Sequence, residues 1–449
     1  MNRKTLFKIF YYLYKIIVIL NRQLSTINYQ LSPVEYILSF MLDFGKPGSL
    51  VGYTADKSEW KNYKVVIIPS NFFKDGVYGT AASMPKLPLK QVEGVPFLFG
   101  EDSVSRTNSQ VFVKADLVAS AYFLLSRYEE LIVKERDEHG RFAAKSSLLF
   151  KAGLLGTPVV EMYGRLLRKW LGECGVKIPA LKSGYKFVMT HDVDAIAQYR
   201  SLRGLAGGLL RNKALTALKS FIGGVENDPL FTFDWMKNQE KQLNSITVKT
   251  FIKVAGKTLT QDIPYFNPYS DDVKKVLKLY PDAGLHVSYE AALNPQLIKG
   301  ELEILESVTD RKVTSSRHHY LASLKPCDMR FLIDAGITDD YTMGFADCAG
   351  FRLGTCRPVR WIDPERKEVT MLTLHPLVVM DCTLSSDKYM ELNMDEAFDL
   401  YKKLRMESMK HGGEFVTLWH NTSVAQTDGS YHRELFEKIL NYEEPADSL

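Results

Sequence analysis

From residue 185 onward, short apolar runs alternate with helical segments, and almost every run ends in a polar cluster. The runs are 185–190 (YKFVMT), 248–252, 283–287, 312–316, 337–341, 369–374 and 414–418. Helical patterns occupy 232–244, 271–279, 294–307, 326–335 and 393–411 between them. The last has a capping-box start at Asn393 to Glu396 and a glycine stop at Gly412. Alternating strands and helices imply a parallel sheet with helices outside it. This many units predicts a closed or nearly closed barrel, whose active site is built at the C-terminal ends of the strands.

Before residue 180 the pattern is mixed. KVVIIP (64–69) reads as a buried strand, and Asp116 opens an apolar helix over 117–131. RDEHGRF (136–142) is a polar loop, and Pro158 sits at the first turn of a helix running to about 171. The 449 residues, at roughly 150 per domain, allow two or three domains. A boundary within 172–182 divides the chain into a smaller α+β N-terminal domain (1–180) and a barrel (181–449). No segment of the first part concentrates candidate chemistry, and His139 is read as a solvated loop residue.

Composition narrows the function. With 57 Lys and Arg against 53 Asp and Glu, the chain has no charge excess suited to neutralising phosphates, so no nucleic-acid partner is expected. Five Cys without a CxxC pair argue against a disulfide framework and against a Cys-based zinc site. The apolar stretch 6–20 is interrupted by Lys8 and Lys15, falls short of the ~20 residues that span a bilayer, and lacks a signal-peptide cleavage site. It reads as an amphipathic or buried helix; the second reading is membrane-surface contact through residues 1–22, helped by Arg3 and Lys4. A cytoplasmic location is expected; the oligomeric state is left open.

The polar clusters carry the chemistry. Asp192 and Asp194 share one face of an extended segment, and two like charges that close favour a cation beside them. One would bind a metal and the other act as base. Imidazole and carboxylate donors suit Zn²⁺ best, with Co, Mn, Ni and Fe as alternatives. Three protein ligands would leave a position for water. Asp194 and His286 supply two, and the third is either His319 or Glu290. Arg317 would orient an acidic partner, and His420, ending the last strand, would protonate a leaving amine. His375, before Pro376, reads as structural. No GxSxG elbow, phosphate loop or dinucleotide fingerprint is present.

THDVD (190–194), GLH (284–286), RHHY (317–320) and Leu418-Trp419-His420, in this order, resemble the motifs of the polysaccharide deacetylases, also called the NodB homology domain or carbohydrate esterase family four. The resemblance implies a distorted (β/α) barrel. It makes Asp192 the catalytic base, Asp194 and His286 metal ligands, and His420 the general acid. Within the family, GLHVSY, RHHYL and GFRLGT are similar to a bacterial branch. In that branch a domain of unknown function, with a helix like LVASAYFLLSRYEE and a loop like RDEHGRF, precedes the barrel.

The sequence also departs from the family. Glu290 stands where the second motif has its second His, His319 replaces the Pro of the third motif, and Asp-x-Asp replaces adjacent Asp residues. His319 would fill the ligand position that the missing His leaves. The implied activity is metal-dependent removal of N-acetyl or similar acyl groups from a polysaccharide or glycan precursor. Tyr289, Tyr320, Trp361 and Trp419 are candidate sugar-stacking faces. The alternative is a barrel that has lost turnover and binds a glycan or a partner protein.

Overall fold

The structure, a computed structural model, describes residues 31–44, 47–181, 184–242, 246–425 and 430–442. The apolar stretch 6–20 lies outside the described residues. No helix among the described residues is long and apolar enough to cross a membrane.

The first part begins with a helix, Pro33–Leu42, started by a capping box between Ser32 and Glu35. Six strands follow: β1 (Val51–Tyr53), β2 (Val65–Ile67), β3 (Lys90–Val92), β4 (Val95–Phe97), β5 (Gly100–Arg106) and β6 (Val111–Ala115). Strands β1, β2 and β6 pair in parallel, and β5 closes one edge antiparallel. That edge strand is mostly exposed and carries Glu101, Asp102 and Arg106, charges that discourage pairing with another chain. Strands β3 and β4 form a separate hairpin.

Asp116 caps the next helix as expected, accepting the Ala119 N–H at 2.9 Å. The helix expected over 117–131 is instead two, Leu117–Leu125 and Glu129–Ile132. The break lies at Arg127, whose φ is +61°.

The second part supplies nine strands: β7 (Lys186–Val193), β8 (Ile246–Ile252), β9 (Gly284–Val287), β10 (Ser315–His318), β11 (Asp339–Asp340), β12 (Val359–Asp363), β13 (Glu368–Leu374), β14 (Leu377–Met380) and β15 (Glu414–His420). They form one sheet in the order β12-β13-β11-β10-β9-β8-β7-β15-β14, parallel except for β12. β7 is buried over seven consecutive residues, as a parallel strand covered on both faces should be.

The sheet curls strongly. Arg317 on β10 bonds to Asp192 on β7 at 3.1 Å, although two strands lie between them. On a flat sheet those strands would be roughly 14 Å apart. Inside the curl, Val188, Phe251, Tyr341, Val416 and Leu418 pack together.

Of the closed or nearly closed barrel expected from the sequence, strand pairing forms a curled open sheet: among the described residues the outer edges of β12 and β14 stay unpaired. The loop 342–358 spans the gap. Met343 O accepts the Leu377 N–H, Gly350 N–H reaches Val378 O, and Cys356 O accepts the Glu414 N–H at 2.7 Å. Gly413 has no side chain because a Cβ there would run into Cys356. The sheet is therefore a curled half-barrel with a loop in its gap.

Both parts share one apolar core. It runs from Ile37 through the Leu117–Leu125 helix and the helix Val159–Glu173 to Trp361 on β12 and Leu374 on β13. A second cluster lies between the sheet and the helices Met394–Lys410 and His432–Leu440. The first of these begins with the expected Asn393–Glu396 capping box.

Candidate active site

Strand alternation sorts the first motif. Thr190, Asp192 and Asp194 fall on one face of β7 and its continuation, and His191 and Val193 on the other. His191 is fully buried against Glu240 at 2.7 Å, behind the sheet. Asp192 and Asp194 face the concave side, where β9, β10 and β15 end.

Three donor atoms converge there. Asp194 Oδ1 lies 3.0 Å from His286 Nε2 and 3.4 Å from His319 Nε2. The other nitrogen of each ring is anchored. His286 Nδ1 faces the Arg317 carbonyl at 3.1 Å, and His319 Nδ1 faces Asp262 Oδ1 at 2.9 Å. A carbonyl or carboxylate oxygen only accepts, so each Nδ1 donates a proton and each ring is held with its Nε2 toward Asp194. Backbone carbonyl and carboxylate partners of this kind are what orient metal-ligating histidines. Asp194 Oδ1 and His286 Nε2 are buried without a hydrogen-bond partner. Two buried polar atoms side by side without a partner are costly, and a cation between them would satisfy both. The set Asp194, His286 and His319 therefore fits a divalent metal of the first-row type. Burial alone would raise the Asp194 carboxyl, yet His319 and His286 hold it well below the usual carboxylate range.

Two charged pairs flank this set. Asp192 accepts from Arg317 Nη1 at 3.1 Å, and the same nitrogen reaches Thr190 Oγ1 at 2.6 Å. His420, the last residue of β15, turns Nε2 toward Asp194 Oδ2 at 3.6 Å. Its Nδ1 meets Asp381 Oδ1 at 2.8 Å, and Asp381 also accepts the His420 N–H at 2.7 Å. Burial opposes charge on His420, but Asp381 holds the imidazole well above the ordinary histidine value. Asp381 is correspondingly depressed. A cleft of about 320 Å³ opens over Asp192, Asp194, His319 and His420, with Leu321, Met380 and Leu418 as apolar lining.

The remaining candidates divide. Glu290 is not in the set. It lies in the first turn of the helix Tyr289–Leu293, accepts from Thr258 Oγ1 at 2.6 Å, and lines a separate groove with Lys257, Tyr265 and Tyr269. Trp361 and Trp419 are fully buried in the core, so neither offers a sugar-stacking face. Tyr289 is also buried, its hydroxyl donating to His139 O at 3.2 Å. Only Tyr320, about a third exposed, borders the cleft. His375 bridges Asp339 and Glu414 away from the cleft, as its structural reading required.

Sequence reasoning missed three residues. Asp381 follows β14 directly and obeys the strand-end rule, but the four residues of β14 are too short a run to show a strand period. Asp262 sits in a long loop after β8, and nothing in its spacing signals a role. Arg141 comes from the 136–142 loop, which corrects the reading of the first 180 residues. It lines the cleft, and His139 in the same loop packs on Tyr320 with ring centres 4.8 Å apart rather than standing in solvent.

Fold and site together define an α/β half-barrel protein with a carboxylate–bis-histidine centre set between a carboxylate–arginine pair and a histidine–carboxylate pair. Residues 16–175 match DUF7033, a family of unknown function. No curated protein matches the chain by sequence. Among solved structures, the chain is similar to one assigned as a polysaccharide deacetylase of Mycobacterium smegmatis, at 13% identity and TM-score 0.38, over 60% of this chain and 87% of that one. It is also similar to Puue allantoinase, at 10% identity and TM-score 0.36, over 58% and 84%. A third is a probable polysaccharide deacetylase of Pseudomonas aeruginosa PAO1, at 10% identity and TM-score 0.36, over 59% and 86%.

Proposed function

We propose that the protein is a metal-dependent amide hydrolase that removes N-acetyl or similar acyl groups from a glycan or glycan precursor. The reading rests on one observation. The convergent Asp194, His286 and His319 atoms lie between an arginine-held carboxylate and a carboxylate-held imidazole. Amide hydrolysis needs those parts: a base for water, a charge-stabilising centre, and an acid for the departing nitrogen.

A divalent metal, zinc by its match to the donors, would polarise the acyl carbonyl and activate water when bound at Asp194, His286 and His319. Asp192 takes the proton of the attacking water. Arg317 fixes the direction of that carboxylate by bonding one of its oxygens. His420, kept charged by Asp381, delivers a proton to the leaving nitrogen. Leu321, Met380 and Leu418 give the acyl methyl an apolar surface. In this reading residues 181–449 carry the chemistry and residues 1–180 form an accessory part. A barrel that had lost turnover would have no need to keep both the Arg317–Asp192 and the Asp381–His420 pairs.

The test is acetate release from N-acetylated chito-oligosaccharides and peptidoglycan fragments by purified protein, before and after chelation and refilling with Zn²⁺. Release that disappears on chelation and returns on refilling supports the proposal. No release from any N-acylated glycan by metal-loaded protein overturns it.

A further inference from the structure

We propose that the N-terminal part positions the third member of the ligand set: Arg141 and Arg127 hold residues 320–323 from outside the half-barrel and thereby fix where His319 Nε2 lies. The inference rests on the metal-site reading above and deepens it.

The backbone just after His319 is unusual. Tyr320 and Leu321 have φ of +59° and +53°, two consecutive L-residues in the left-handed region. Non-glycine residues avoid it, and such a backbone persists only where its surroundings over-determine it. The restraint comes from the first part of the chain. Arg141 donates through Nη1 to Tyr320 O at 2.9 Å. Arg127 donates through Nη2 to Ser323 O at 2.8 Å and through Nη1 to Ser323 Oγ at 2.8 Å. Two carbonyls of the strained segment are thus gripped by planar, rigid donor forks, a geometry that lysine does not reproduce.

Both arginines are themselves braced. Asp137 accepts from Arg141 Nε at 2.8 Å, and Arg141 Nη2 reaches the Tyr389 hydroxyl at 3.1 Å. Glu130 takes Arg127 through both oxygens, at 2.9 and 2.6 Å, and also binds Arg352 at 2.7 Å. The helix break at Arg127 is what aims this side chain at Ser323 instead of along the helix. Aromatic packing completes the hold, because the His139 ring lies against Tyr320 and the Tyr320 ring lies 4.7 Å from that of His319. Asp262 fixes the tilt of the imidazole through Nδ1, and the arginines fix the backbone that carries it. The SRYEE and RDEHGRF segments of the N-terminal part thereby acquire a single purpose.

Arg141 is the residue to test, since Arg127 lies in a buried ion cluster whose loss would disturb folding. Full-length metal-free protein is titrated with Co²⁺, reading affinity and the visible d–d spectrum, with the melting temperature as a fold control. Arg141→Gln should weaken Co²⁺ binding by ~10–100-fold, the usual cost of losing an outer-shell support, and alter the spectrum while the protein stays folded. Arg141→Lys should recover part of the loss. In a His319→Ala background, Arg141→Gln should have no further effect on affinity, because the ligand it positions is gone. Wild-type affinity and spectrum in Arg141→Gln, or an equal loss in the His319→Ala background, overturns the positioning role while leaving the ligand set intact. Wild-type Co²⁺ affinity in His319→Ala alone overturns the ligand set itself, and the positioning role with it.

Discussion

Replacing Asp381 with Asn removes the charge that keeps His420 protonated while retaining an amide oxygen for the His420 N–H. The carboxylate and imidazole are 2.8 Å apart, Asp381 is fully buried and the His420 side chain is 13% exposed. At an effective dielectric near 20, opposite charges about 4 Å apart attract by ~4 kcal/mol. Other neighbours and partial solvation reduce this, and its loss lowers the His420 pKa back toward the ordinary histidine value. Burial then favours the neutral ring. In the native protein His420 is raised, so its pairing stabilises the fold fully below the unfolded histidine value and loses that contribution as pH rises through the higher folded value. Asp381 is depressed, so its share is present above the unfolded carboxylate value and is lost as pH falls. The assay is an NMR titration of the His420 ring in metal-free protein, paired with the pH profile of kcat/KM. The alkaline limb of that profile should move to lower pH in Asp381→Asn by about the shift seen in the titration. A His420 ring that titrates at the same pH in both proteins would refute the coupling and the acid role built on it.

Asp192→Asn should keep its metal and lose ~10²–10⁴ in rate, measured by metal analysis and acetate release on the same preparation. Glu301, buried on the helix Ile298–Thr309 and bonded to the Ser288 N–H at 3.0 Å, is pushed up to about 7 by desolvation. Its contribution to stability is present below the unfolded carboxylate pKa and lost as pH rises through about 7. Glu301→Gln should therefore flatten the dependence of melting temperature on pH over that window, by up to ~3 kcal/mol in unfolding free energy. Trp361→Ala should cost ~3–5 kcal/mol in chemical denaturation with KM unchanged, because Trp361 lies in the shared core and not at the cleft.

The parallel sheet and the convergence of the candidate residues at its C-terminal edge were legible where local pattern decides the outcome. The runs that became β7, β8, β9, β13 and β15 are apolar and end in polar residues, and the helix at 393–410 carries its own start and stop signals. His286, Asp194, Arg317 and His420 met at one end because each lies at or just past the C-terminal end of a strand of one parallel sheet. What escaped was set by long-range packing. β14 is a four-residue run after His375-Pro376, too short to show a period, and with it Asp381 was lost from view. The choice between Glu290 and His319 depended on which way each side chain leaves its turn, which spacing does not encode. The N-terminal contribution was hidden for the same reason. Arg127 and Arg141 act on residues nearly two hundred positions away, through a left-handed break and a loop whose sequences look like ordinary surface. The sheet opens at β12 and β14 because the 342–358 loop, not strand pairing, bridges that gap.

The central claim is that Asp194, His286 and His319 hold a catalytic metal. The most direct measurement is the metal content of purified wild-type protein beside that of His319→Ala and Glu290→Ala. About one divalent ion per chain is expected in the wild type and in Glu290→Ala, and loss of the ion in His319→Ala. A full complement of metal in His319→Ala, or its loss in Glu290→Ala, would contradict it.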